Sequence, residues 1–309
     1  MPTTSMTTAA AAFLESGYGI IPAFLEPHEL ACLGAQVERM LSQPRHPGMN
    51  RPGNDLVPLR WDNDIVAHIL RSPRRLQLLA EMLAPADLKW LSGYVSTKPP
   101  RSAALYWHQD WWCWDHPISF RRAATQVAVL CYLSHTSTHN GALRVLPGSH
   151  HMSAPVHRLL PEPHAEGANE LRPEHPALAD LPGQVTLSLR AGDAVAIDYR
   201  LLHGTHANES PARRDCILLS FVPNWSSLPP DVKAHLIAHP ALPGEAEAAQ
   251  RRASRYADLL PTFDGPPASL PLNRMPPAEF AVRIDADRID DAEFPRAPTT
   301  HARRSSVLA

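Results

Sequence analysis

The sequence predicts a mostly β protein with flanking helices, its core a barrel or double-sheet jelly roll of the cupin type. Short apolar or alternating runs divided by Gly and Pro turns fill residues 88–222, the pattern such a core leaves in sequence. Residues 1–87 instead carry apolar positions at helical spacing. Proline is abundant (33 residues) and glycine modest (14), which suits short strands and stiff loops. A chain of 309 residues is long enough for one large core, and no repeat or linker divides it. One domain over 1–309 is therefore expected, with helical support over 1–87 and a β core over 88–222. Residues 152–183 form an insertion in that core, and 223–309 a helical and Pro-rich extension.

Element by element, Thr7–Ser16 reads as a short helix and Gly17–Ala23 as a strand. Glu26–Ser42 reads as an amphipathic helix with Leu30, Leu33, Val37 and Met40 on one stripe. After a Pro/Gly-rich loop at Pro44–Pro52, Asn63–Leu70 and Pro73–Leu83 are two further helices. Strands follow at Leu88–Ser96, Ala104–Cys113, Thr125–Leu133 and Ala142–Leu146, the last entered through the Asn140-Gly141 turn. Val185–Leu189, Asp193–Asp198 and Cys216–Val222 supply three more, with Ala191-Gly192-Asp193 turning between the first two. The long, Pro-rich stretch 152–183, with His157, His164 and His175, reads as a lid-like insertion beside the barrel mouth. Glu245–Leu260 reads as helical and Arg296–Ala309 as a frayed end.

Bulk properties exclude several functions. A net charge of −2 leaves no electrostatic footprint for nucleic acid or anionic membrane. The four cysteines, Cys32, Cys113, Cys131 and Cys216, form no Cys-x-x-Cys pair, so a zinc knuckle is not expected. The Ala9–Leu14 run is too short to span a bilayer, and with no secretory leader a cytoplasmic location is expected.

The chemistry concentrates in Tyr106–His116. There His108 and Asp110 stand two apart, so on an extended strand they share a face. A histidine and a carboxylate so placed are two thirds of the facial triad of non-haem Fe(II) oxygenases. His203, after the apolar run Ala194–Ile197 and before Gly204, is the candidate third ligand. Taken alone it is also compatible with a core histidine bonded to backbone. Eleven residues on, Arg214 opens the last strand, and its guanidinium is the fork that binds a carboxylate bidentately. The pair Arg213-Arg214 is equally what a solvated strand start looks like. Were the strand to continue past Asp110, Trp112 and Trp114 would share the metal face with Tyr106 behind His108. Ordinary core packing and a pocket for a flat or hydrophobic substrate are both open for these aromatics. His150 reads as a structural hydrogen-bonding residue.

Several pieces together resemble the phytanoyl-CoA dioxygenase family of Fe(II)/2-oxoglutarate oxygenases. They are Lys98-Pro-Pro, His108-Gln-Asp110, the run from Asn140-Gly to His150, and Gly192-Asp through His203-Gly, with Asn208 and Arg214 after them. Phe13–Leu41 resembles the family's opening more weakly. The resemblance implies a double-stranded β-helix with iron on His108, Asp110 and His203, and Arg214 on the distal carboxylate of 2-oxoglutarate. It places Tyr94 near that co-substrate and Leu130 where some members carry Trp. Asp110 occupies the position that halogenating relatives fill with a small residue, so hydroxylation or another oxidation of a small-molecule substrate by dioxygen is implied, with succinate and carbon dioxide as co-products. Two other readings remain: a cupin-like metal protein that does not use 2-oxoglutarate, and a non-catalytic binding member of the same fold. The sequence names neither the substrate nor the oligomeric state.

Overall fold

Strand alternation shapes this molecule, because its main sheet is buried on both faces. The computed structural model describes residues 6–43, 50–51, 54–163 and 171–281. In chain order the strands are β1 (Tyr18–Ile21), β2 (Asn50–Arg51), β3 (Asn54–Leu59), β4 (Lys89–Lys98), β5 (Leu105–His108), β6 (Val127–Tyr132), β7 (Leu143–Val145), β8 (Val185–Leu187), β9 (Ala194–Asp198), β10 (His203–Thr205) and β11 (Arg214–Val222). They form two antiparallel sheets, a larger one ordered β1-β9-β6-β11-β4-β3-β2 and a smaller one ordered β5-β10-β7-β8.

On β6, Val127, Val129 and Cys131 face a core shared with the helices, while Ala128 and Tyr132 face the smaller sheet. On β11, Ile217, Leu219 and Phe221 take the helical side and Cys216 the inner side. The period of two thus assigns one set of residues to support and the other to the interior of the sandwich. The helical layer is α2 (Pro27–Leu41), α3 (Asp64–Leu70) and α4 (Pro73–Leu83), preceded by α1 (Thr8–Ser16). Local chemistry sets their ends. Thr7, Asn63 and Ser72 accept from backbone N–H groups at the starts of α1, α3 and α4, and α1 stops at Gly17, whose φ of 80° closes the last turn. Buried Arg75 of α4 reaches Glu29 of α2, which also meets His68 of α3 at 2.7 Å. Burial alone would raise the Glu29 carboxyl, but bonds from Arg75, the Glu26 N–H and His68 bring it down to about 2.

The helices and most strands fall where the sequence puts them, and the differences have physical causes. Asn54–Leu59 is a strand although its polar start and Pro58 gave no strand signal; it is held by pairing with β4. The strand expected over Ala104–Cys113 ends at His108. Glu245–Leu260 is one short helix, α6 (Ala248–Ala253), between two 3₁₀ turns, and α5 (Pro230–Leu236) precedes it. Most of the Pro44–Pro52 loop, His164 and Arg296–Ala309 lie outside the described residues.

Within 152–183 the described residues pack along the smaller sheet, Leu160, Leu171, Ala177 and Leu178 against Tyr106 and Val156 against Trp107. Trp107 donates its indole N–H to the Ala179 carbonyl at 2.8 Å, and buried Arg144 lies 4.6 Å over the Trp107 ring while donating to Leu178 and Ala179. No described helix is long and apolar enough to cross a membrane, and the four thiols are unpaired.

The turn from β9 to β10 is held by a buried ion pair. Arg200 Nη2 lies 2.7 Å from Asp198 Oδ2, with both side chains almost fully buried, and the guanidinium also donates to the carbonyls of Ser119, Arg121 and Ala123. Burial opposes the Asp198 charge, but Arg200 more than offsets this and lowers its pKa. Arg200→Ala is expected to cost about 3–5 kcal/mol of unfolding free energy, because it strands a buried carboxylate. A carboxylate with a depressed folded pKa stabilises above its unfolded value and loses that contribution as pH falls. Denaturant titrations at neutral and acid pH should therefore show the wild-type advantage shrinking at acid pH.

Candidate metal centre and co-substrate site

His108 ends β5 and His203 begins β10, and the two are directly opposed in the antiparallel register. Their rings lie 4.3 Å apart between centroids. Each Nδ1 sits against the carbonyl two residues back on its own segment, Tyr106 O at 2.9 Å and Leu201 O at 3.0 Å. That contact orients both rings with Nε2 toward Asp110. His108 Nε2 is 3.6 Å from Asp110 Oδ1, and His203 Nε2 is 3.6 Å from Asp110 Oδ2. Spacing of this kind is too long for hydrogen bonds and suits three donors around one ion. One candidate ligand atom from each residue lies within 4.8 Å of those of the other two. The outer contacts are of the kind that fix tautomer and orientation at metal sites.

Two features hold these segments together. Gly204 follows His203, and a Cβ there would stand 2.8 Å from Leu105 O and 3.0 Å from Tyr106 O, so only glycine lets β10 approach β5 this closely. Buried Gln109, between His108 and Asp110, donates through Nε2 to the Arg200 carbonyl and ties the His-x-Asp segment to the ion-paired turn. A second cluster with metal-like spacing, Glu26, His28 and Glu29, is committed to helix contacts through Arg75 and His68.

The centre opens on a cavity of about 490 Å³ between the sheets, within the range of small-molecule sites. Inward positions of adjacent strands line it in rows: Tyr94 of β4, Leu218 of β11 and Leu130 of β6 are register partners. Arg214 lines it as well, 4% exposed, donating to Gly141 O and lying 5.2 Å over the Tyr132 ring. Among the described residues no carboxylate pairs with Arg214, and its buried Nε has no partner. A buried cation in that state calls for an anion. Lys98, fully buried nearby, has its pKa drawn down to about 7 by burial and by the charges of Arg214 and Arg144, leaving the guanidinium as the stronger fixed charge.

The aromatics divide. Tyr106 and Trp112 line the cavity; Trp112 donates to Gln126 Oε1 at 3.0 Å and stacks on His235 at 4.4 Å. Trp114 does not line it: it is buried against Phe120 and Phe280, in a packing role. Residues 109–112 are not strand, so the alternation that put Trp114 on the metal face no longer applies. His150 is structural, with Nε2 on Leu14 O at 3.1 Å.

Sequence reasoning missed Gln126, Tyr132, Tyr199, His235, His239 and Arg274, all of which line the cavity. Tyr132 was legible as an inward position of β6, two residues beyond Leu130. Burial, with the Asp110 charge, raises the Tyr199 phenol. The last three belong to the C-terminal extension. None of the insertion's described residues lines the cavity.

Two nitrogens and one carboxylate oxygen at the bottom of a double-stranded β-helix form the donor set of non-haem Fe(II) oxygenases. The chain belongs to the phytanoyl-CoA dioxygenase family, whose model matches residues 13–216. It is accordingly a dioxygenase dependent on iron and 2-oxoglutarate. The chain is 25% identical to the ectoine dioxygenase of Stutzerimonas stutzeri over 218 residues, 65% of this chain and 72% of the relative. In fold it is similar to HygX from Streptomyces hygroscopicus with nickel and 2-oxoglutarate bound, with a TM-score of 0.54 and 20% identity over 71% of this chain and 88% of that one. EctD from S. alaskensis with 2-oxoglutarate and 5-hydroxyectoine gives a TM-score of 0.51 at 20% identity, covering 72% and 78%.

Replacing Gly204 with Ala should push β10 off β5 and separate His203 from His108. We expect metal affinity about 10–100-fold weaker with the circular dichroism spectrum retained, and isothermal titration with Ni(II) checks it.

Proposed function

We propose that His108, Asp110 and His203 hold Fe(II), that Arg214 takes the distal carboxylate of 2-oxoglutarate, and that the enzyme hydroxylates an unactivated C–H bond of a small organic molecule. The observation that carries this is the pairing of the three converging donors with a buried guanidinium that has no carboxylate partner among the described residues, both facing one cavity. The iron, when bound, supplies the oxidising chemistry: one atom of dioxygen enters succinate as carbon dioxide leaves, and the other replaces a substrate hydrogen as hydroxyl.

The protein's own part is positional. Three ligands from one face leave the rest of the coordination sphere to co-substrate, dioxygen and solvent. Asp110 contributes the single negative charge. Tyr94 and Leu130 flank the co-substrate, and apolar walls at Leu91, Leu130, Leu143 and Leu218 keep water from the reacting carbon. Tyr106 and Trp112 bound the space left for the substrate.

Succinate formation should require Fe(II), dioxygen and 2-oxoglutarate together, and His108→Ala or Asp110→Ala should abolish it; full activity in either variant would remove the metal assignment. Arg214→Ala should raise the 2-oxoglutarate concentration needed for half-saturation about 10–100-fold, with partial recovery in Arg214→Lys. An unchanged requirement would favour a cupin-like metal protein that does not use 2-oxoglutarate. Trp112→Ala should impair substrate-stimulated turnover more than co-substrate binding, and equal loss of both would mark Trp112 as packing.

A further inference from the structure

We propose that the outer end of the cavity is a recognition site for a carboxylate of the substrate, formed by Arg274, His235 and His239 beside the face of Trp112. This rests on the reading just given, in which the other end of the cavity takes 2-oxoglutarate. The two ends are well separated. Gln126, the Trp112 partner, bonds Ser220 at 2.8 Å, six residues along β11 from Arg214 and so about 20 Å of strand away.

The two histidines are donors by construction. His235 Nδ1 accepts from the Leu270 N–H at 3.1 Å, and His239 Nδ1 accepts from the Ala241 N–H at 3.1 Å. A neutral imidazole that accepts at Nδ1 carries its proton on Nε2. Both rings therefore keep an N–H at Nε2, and the same tautomer takes them out of consideration as metal ligands. His235 lies in the last turn of α5 and His239 three residues past its end, and both line the cavity. Burial lowers both pKa values, in keeping with neutral donors.

Arg274 adds the charge. Among the described residues it has no carboxylate within ion-pair distance, and the only carboxylate lining the cavity is Asp110, at the metal centre. The strap that carries Arg274 is fixed to the metal-binding segment. Asn273 N–H donates to Trp112 O at 2.9 Å, Trp114 N–H to Asn273 O at 3.0 Å, and Asn273 Nδ2 to Asp115 Oδ1 at 2.7 Å. Two imidazole donors and one planar cation lining the same cavity as a flat indole match a planar acceptor-only group: a carboxylate on a compact ring or short alkyl body.

The test uses the full chain loaded with Ni(II) and saturating 2-oxoglutarate, so that Arg214 is occupied. Benzoate, cyclohexanecarboxylate, indole-3-carboxylate and hexanoate are titrated, each against its primary amide, by tryptophan fluorescence and calorimetry. We expect at least one acid to bind about tenfold or more tighter than its amide. Arg274→Ala should erase the preference, Arg274→Lys should keep part of it, and His235→Phe, which retains a ring on Trp112, should weaken the acid but not the amide. Equal binding of acids and amides, a preference that survives Arg274→Ala, or no binding of any acid at millimolar concentration would overturn the inference. The nickel absorption change on adding 2-oxoglutarate reports separately on the underlying reading. If it appears, a negative result counts against the carboxylate site alone; if it is absent, the co-substrate assignment fails first.

Discussion

The pairing of β5 with β10 is the constraint on which the site depends. It sets His108 opposite His203, two residues 95 positions apart in sequence. A slip of one residue would turn every side chain of the short strand to the other face. Three-residue β10 has little pairing of its own to resist a slip, so its register is fixed from outside. Gly204 admits the close approach to β5, Arg200 and Asp198 lock the turn before it, and Gln109 fastens that turn to the opposite segment. Polar groups are costly to bury, and here each spends its hydrogen bonds on backbone positions that decide where a ligand atom lies.

The larger sheet makes the complementary contribution. Because helices cover one face and the smaller sheet the other, its alternate residues never compete for the same role. Ile217, Leu219 and Phe221 make the support; Arg214, Cys216 and Leu218 make the chamber. Arg214, buried at the edge of such an interior, has no carboxylate partner among the described residues, which is unfavourable for folding until an anion joins it. A site of this kind stores part of its binding affinity as electrostatic need in the empty state.

Much of this was legible in the sequence, for local reasons. His108 and Asp110 stood out because a two-residue spacing is meaningful on a strand, and Arg214 because it follows His203 by eleven residues at the opening of a strand. Tyr94 and Leu130 followed from the family pattern and occupy inward positions. Legibility failed where periodicity stopped. The chain leaves the sheet after His108, so extrapolating the strand placed Trp114 at the site when it belongs to the packing around Phe280. The strand Asn54–Leu59 was invisible because its partner, rather than its composition, makes it a strand. The mouth was assigned to the insertion on length and proline content, neither of which says which face a loop covers.

The C-terminal residues that line the cavity differ from the rest in where they stand in the sequence. The family match ends at residue 216, and within it lie the three converging donors, Arg214, Tyr94 and Leu130. His235 at the end of α5, His239 three residues past it and Arg274 lie beyond that match and also line the cavity. The matched part carries the three converging donors and Arg214, with His108, His203 and Arg214 on paired strands. The part beyond it packs on the core through Val232 and Leu236 and is tied to the segment after Asp110 by backbone bonds at Asn273 and by the Asn273–Asp115 side-chain bond. His235, His239 and Arg274 thus come from the part of the sequence with the weakest internal periodicity, and Asn273 ties that part to the segment that carries His108 and Asp110.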